Sequence, residues 1–248
     1  MKSIVEIIEL ANQYALELPP AAETILLPVG SEINAFIDHT LLKPEATPDQ
    51  IKKLCQEALA YQFASVCVNP VYAPLAAELL AGSSVKTCSV IGFPLGATSA
   101  TSKVLDALSL MAVGATEIDM VLHIGALKSR AYGQVLNEIK AVVQAAHVQE
   151  AIVKVIIETA LLDKQEKIMA CLLCQAAGAD FVKTSTGFST SGATLEDVDL
   201  MYRVVGPYVK VKAAGGIRDL QTALAMVKVG AGRLGTSSGV QIAKDAAI

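Results

Sequence analysis

The chain has no tryptophan, and its five phenylalanines and six tyrosines leave it only 4% aromatic. A core for 248 residues must then be filled by Val, Ile, Leu and Ala, which supply most of the 53% hydrophobic content. Those residues fill parallel sheets and the helices that cover them, so the composition favours α/β over an all-β sandwich. At this length one domain is expected, burying about three-quarters of the surface its unfolded chain would expose. Cysteine is also scarce. Five scattered thiols, an odd number, make no disulfide framework and fit a reducing compartment. The single CxxC, Cys171 and Cys174, lies in the apolar helical run KIMACLLCQAAGA with no second pair. Helix packing accounts for it better than zinc or redox chemistry.

Other signals are missing too. The net charge is −4 with no long basic run, which argues against nucleic acid as a partner. No stretch reaches about eighteen unbroken apolar residues, so no membrane-spanning helix is expected. The opening MKSIVEIIELANQYALELPP is interrupted by Glu6, Glu9 and Glu17, unlike a secretion signal, and a cytoplasmic location follows as an expectation. Three histidines, His39, His123 and His147, form neither HxH nor HExxH, and no GxGxxG follows the first strand. Neither a metal nor a dinucleotide cofactor is expected.

What is present is a rhythm of about thirty residues. Strand-like runs occur at 35–38, 65–69, 85–93, 117–124, 152–159, 180–185, 208–214 and 231–237, with helical patterns between them. Eight alternating units with short right-handed connections predict a (β/α)8 TIM barrel over residues 31–248, the alternative being a doubly wound sheet. Residues 1–30 stand outside the repeat as an N-terminal helical extension, with an amphipathic helix at about 3–17 ending before Pro19-Pro20. A barrel cap or an oligomer contact is its expected role.

In a barrel, alternate strand residues face inward and the C-terminal rim carries the chemistry. Parity puts Glu117, Asp119 and His123 on one face of the fourth strand, Lys154 and Glu158 on the fifth, Lys183 and Ser185 on the sixth, and Lys210 and Lys212 on the seventh. Lys154, Lys183 and Lys212 recur every 29 residues. Facing inward together, they would place three ammonium groups and the Asp119 carboxylate in one apolar-walled space, perturbing each other's titration. An amine nucleophile needs such a setting, because only the neutral amine attacks a carbonyl. Lysines whose stems merely snorkel along the rim are the ordinary alternative. Parity does not choose between Lys212 and Lys210; depth does, since Lys210 lies toward the barrel's N-terminal mouth. Two late loops, AAGGIRD with Gly215 and Gly216, and GTSSGV with Gly235, Thr236, Ser237 and Ser238, lie where barrels commonly hold phosphate.

The runs FIDHTLLKP, SVCVNP, VIGFPLGA, EIDMV with IGALKS, KVIIET, FVKTSTGF, VKAAGGIR and RLGTSSG occur in an order and spacing that resembles the deoxyribose-phosphate aldolases, over about residues 31–245. The resemblance implies a class I aldolase that reversibly cleaves 2-deoxy-D-ribose 5-phosphate to D-glyceraldehyde 3-phosphate and acetaldehyde through a lysine Schiff base, without a metal. It implies Lys183 as the Schiff-base lysine, Lys212 as the neighbour that depresses its pKa, and Asp119 as the proton-relay carboxylate. Asp38, Cys67 and Lys154 match further positions of the family's site. Thr186, Gly187, Gly215, Gly216, Gly235, Ser237 and Ser238 match positions around substrate and phosphate. Phe188 departs from members that carry a lysine there, His123 stands where Asn is frequent, and the final KDAAI lacks a tyrosine that ends some members. Such barrels often dimerise, so a homodimer is one expectation. Another Schiff-base barrel acting on a different phosphorylated sugar, or a silent sugar-phosphate sensor, are the competing readings.

Overall fold

A computed structural model describes residues 2–21 and 25–247. Eight parallel strands close into a barrel: β1 Ile37–Leu41, β2 Ser65–Val68, β3 Lys86–Ile91, β4 Glu117–Val121, β5 Ile152–Ile156, β6 Phe181–Lys183, β7 Lys210–Ala214 and β8 Ala231–Thr236, each paired with its neighbours and β8 with β1. The helices are α1 Ile4–Leu16, α2 Pro48–Tyr61, α3 Ala73–Leu79, α4 Ala100–Ala112, α5 Ile124–Lys128, α6 Tyr132–His147, α7 Lys164–Ala177, α8 Leu195–Val205, α9 Leu220–Lys228 and α10 Gly239–Ala246. The predicted TIM barrel is the observed one, and the doubly wound sheet is not.

Several boundaries differ from the sequence reading, each for a local reason. Ala35 and Phe36 belong to a 3-10 helix, Gly30–Phe36, so the first strand starts two residues later than expected. His123 is not on β4. It is the N-cap of α5, where its Nδ1 accepts from the Ala126 N–H at 3.0 Å. Glu158 has left β5 and sits in the left-handed region at φ 54°. The short helices α3 and α5 went unread because five to seven residues cannot display a helical period.

Helix ends follow their capping residues. Thr47 with Gln50 starts α2 and Asp163 with Glu166 starts α7, both as capping boxes, and Gly178 ends α7 in a left-handed cap. Cys171 and Cys174 are buried free thiols within α7, packed in the core, and burial raises both their pKa values. Helix α1 lies against α7 and buries Ile7 and Ala11. Lys164 Nζ donates to the Ala15 carbonyl at 3.0 Å, and Arg203 on α8 donates to those of Pro19 and Leu18 at 2.7 and 3.0 Å. Among the described residues no helix is long and apolar enough to cross a membrane.

Candidate active site

The barrel interior holds an unusual concentration of charge. Lys154, Lys183, Lys212 and Arg233 meet Asp38, Glu117 and Asp119, and register explains why: Asp119 pairs with Lys154, and Lys183 with Lys212. A register shift between Val211 and Lys212 sets Lys212 against Arg233 on β8.

Asp119 is the centre. Its Oδ2 accepts from Lys183 Nζ at 2.8 Å and Lys212 Nζ at 2.7 Å, while Oδ1 accepts from Lys154 Nζ at 2.8 Å and the Cys88 thiol at 3.2 Å. Burial alone would raise its pKa, but Lys154, Lys183 and Lys212 outweigh that and hold it well below the usual carboxylate range. Asp38 is likewise held low, against its burial, by Lys212 at 2.5 Å and Arg233 at 2.7 Å. Lys154 also reaches Glu117 at 2.6 Å, and Arg233 grips Glu117 with Nη2 contacts of 2.9 and 2.8 Å.

The cations respond in the opposite sense. Burial would pull protons off Lys154, Lys212 and Arg233, yet the facing carboxylates outweigh it and raise all three pKa values. Four basic side chains, Lys154, Lys183, Lys212 and Arg233, thus face three acidic ones, Asp38, Glu117 and Asp119.

Only one of the three lysines opens to a cavity. A cavity of about 410 Å³ at the C-terminal end of the strands is lined by Lys183, Thr186, Gly187, Phe188, Gly215 and Gly216, and further by Gly235, Ser237, Lys43 and Arg218. Lys183 is 2% exposed; Lys154 and Lys212 are fully buried behind it. Larger clefts of about 550 and 600 Å³ border α1, away from the charge network.

Most of the predicted residues are thus brought together, in two groups. Lys183, Lys212, Asp119, Lys154 and Asp38 form the buried network, and Lys210 is exposed at the N-terminal mouth, its Nζ 5.8 Å from the centre of the Phe181 ring. Thr186, Gly187, Gly215, Gly216, Gly235 and Ser237 line the cavity. Cys67 is buried on β2 beside Cys88, whose hydrogen bond lowers its thiol pKa, and does not line that cavity. Ser238 does not line it either; it is the N-cap of α10, and its N–H donates to Thr236 Oγ1 at the end of β8 at 2.9 Å. Gly235 has a packing reason of its own, because a Cβ there would stand 2.9 Å from Ala214 Cβ and 3.2 Å from Lys212 Cε.

Cys67, Cys88 and Asp119 present ligand atoms within 4.8 Å of one another. Asp119 already accepts from three ammonium groups, and a dication there would have to displace them. Sequence reasoning did not assign Arg233, Cys88, Lys43 or Arg218. Parity could have offered Arg233 only if the register shift before it were known.

A family model described as DeoC/LacD family aldolase matches residues 33–245. A deoxyribose-phosphate aldolase of Brevibacillus brevis is 59% identical over 85% of this chain and 94% of its own length. One of Thermococcus gammatolerans is 57% identical over 88% and 98%. A crystal structure from Coccidioides immitis superposes with a TM-score of 0.92 at 41% identity, covering 100% of this chain and 99% of that one. The deoxyribose phosphate aldolase of Aeropyrum pernix, described as a tetramer, gives 0.83 at 34% identity over 98% of both chains.

Proposed function

The chain belongs to the DeoC/LacD family of aldolases and is a carbon–carbon lyase of the deoxyribose-phosphate aldolase kind; from that premise we propose that it cleaves 2-deoxy-D-ribose 5-phosphate reversibly through a Schiff base on Lys183. The observation that carries this reading is the placement of Lys183. It is the lysine of the network that lines the cavity, and it shares Asp119 Oδ2 with Lys212.

The carboxylates they face raise the pKa values of Lys154, Lys212 and Arg233 and hold these three as cations. Lys183, which opens to the cavity, is the amine placed to react. Its nitrogen adds to the C1 aldehyde of the open-chain sugar, and the carbinolamine loses water to give a protonated imine. The C3 hydroxyl gives up its proton, the C2–C3 bond breaks, and its electron pair moves to C2 as the imine becomes an enamine. D-glyceraldehyde 3-phosphate leaves. C2 then takes a proton, and water hydrolyses the resulting imine to acetaldehyde and free Lys183. Asp119, between Lys183 and Lys212, serves with a water as proton carrier for these transfers. No step calls on a metal or cofactor.

The phosphate is assigned to the mouth of the cavity. Gly215 and Gly216, at φ +87° and +83°, let backbone approach an anion there, and Ser237 adds a hydroxyl. Phe188 supplies no charge, but Lys43 and Arg218 line the same cavity and do. The test is turnover of 2-deoxyribose 5-phosphate in excess chelator, with acetaldehyde followed as product. Turnover that Lys183→Ala abolishes supports the proposal. Binding of the sugar phosphate without turnover would support a sensor instead, and an undiminished Lys183→Ala would overturn the nucleophile.

A further inference from the structure

Lys103 is a charged residue that α4 buries completely. Its Nζ donates three hydrogen bonds, to Glu138 Oε1 on α6 at 2.7 Å, to the Gly96 carbonyl at 2.9 Å and to the Val121 carbonyl at 2.8 Å. The same Glu138 oxygen accepts from the His123 N–H at 3.1 Å. Burial pulls the Lys103 pKa down although Glu138 opposes it. As a source of stability such a pair is poor, because apolar residues of similar volume commonly do as well or better. What apolar residues cannot do is hold carbonyls and an N–H in place at the end of β4 and in the loop after β3.

That loop is closed down on the pair by two glycines in the left-handed region. At Gly92, φ +60°, a Cβ would stand 2.7 Å from Lys103 Cε; at Gly96, φ +69°, one would stand 2.0 Å from the Leu122 carbonyl oxygen. Between them Phe93 meets Phe188 edge to face, with ring centroids 5.3 Å apart and planes at 88°. Phe188 is 51% exposed and lines the cavity that Lys183 opens into. A continuous set of contacts therefore runs from Lys103 through the loop and Phe93 to the cavity wall, and Phe93 also packs against the small apolar cluster of Leu42, Cys67, Cys88 and Val90.

We propose that the buried Lys103–Glu138 pair is a positioning device that sets the loop at 92–99 so that Phe93 backs Phe188 and fixes the wall against which the sugar binds. It rests on the reading of the cavity as the sugar site. Neither residue touches a reacting atom, so the pair acts on substrate binding and not on Schiff-base formation.

The test compares wild type, Lys103→Met/Glu138→Leu, Phe93→Ala and the triple variant by steady-state kinetics, thermal melting and borohydride trapping with acetaldehyde. Replacing both charges leaves neither buried alone. The double variant should melt cooperatively, trap acetaldehyde at Lys183, and raise KM about two- to tenfold, the scale of one aromatic contact, with kcat little changed. Phe93→Ala should raise KM alike, and the triple variant no further, because both changes break one path. A wild-type KM in the double variant, or additive increments in the triple, would overturn the proposal. Should the double variant not fold, an unchanged KM in Phe93→Ala overturns it by itself, and a raised one supports it. A wild-type chain that traps nothing at Lys183 removes instead the reading on which the proposal stands.

Discussion

Replacing Lys212 by methionine tests the charge count directly. In the wild type, Lys183 and Lys212 both contact Asp119 Oδ2, at 2.8 and 2.7 Å, so their nitrogens stand no more than the combined 5.5 Å apart. At an effective dielectric constant of about 20, two like charges at that distance repel by about 3 kcal/mol. Lys212→Met removes that repulsion, and three basic side chains then face three acidic ones. Asp119 also loses a competitor for its oxygen and holds the Lys183 proton more firmly. Activity should fall about a hundredfold at neutral pH, and the rising limb of kcat/KM should move alkaline by about 2 pH units. The assay is the pH profile of 2-deoxyribose 5-phosphate cleavage for both proteins, with melting curves as a check on folding. A folded Lys212→Met protein with an unmoved profile would refute the argument that charge balance sets the nucleophile.

Asp119→Asn should lower kcat by about 10²- to 10⁴-fold through loss of the proton carrier. It should also lower stability by about 3–5 kcal/mol at neutral pH, because three buried ammonium groups lose their shared carboxylate. Since the Asp119 pKa is depressed in the fold, its contribution is present above about pH 4 and is lost as pH falls through the folded-state value. Urea unfolding of both proteins should therefore show the gap between them narrowing in acid; a gap that widens would contradict the assignment. Lys43→Ala should raise KM for the phosphorylated sugar about tenfold, the scale of one charged hydrogen bond, while leaving unphosphorylated 2-deoxyribose unaffected. Equal effects on both sugars would take Lys43 out of the phosphate's surroundings.

The barrel was legible because its eight strands are short apolar runs at an even spacing, and buried parallel strands need little else to declare themselves. Lys154, Lys183 and Lys212 were legible for the same reason: one lysine per repeat at a constant interval lands on adjacent strands at related heights. Arg233 was not, because AGRLGTS reads as a strand without saying which of its residues face inward, and the inward aim of Arg233 depends on a register shift between Val211 and Lys212. Cys88 reads as one more apolar strand residue until β4 brings Asp119 to 3.2 Å from it. Lys103 looks like a solvated helix position in SKVLDALSLMAVG. Its burial is created by α6 and by the loop after β3, neither of which local pattern can place.

The most direct measurement is borohydride reduction of the wild-type protein with acetaldehyde, followed by peptide mass spectrometry. Reduction of the imine formed with acetaldehyde leaves an ethyl group on the nitrogen that carried it. The account predicts that group on Lys183 and on no other lysine of the network. An adduct on Lys212 or Lys154, or turnover with no adduct anywhere, would contradict it.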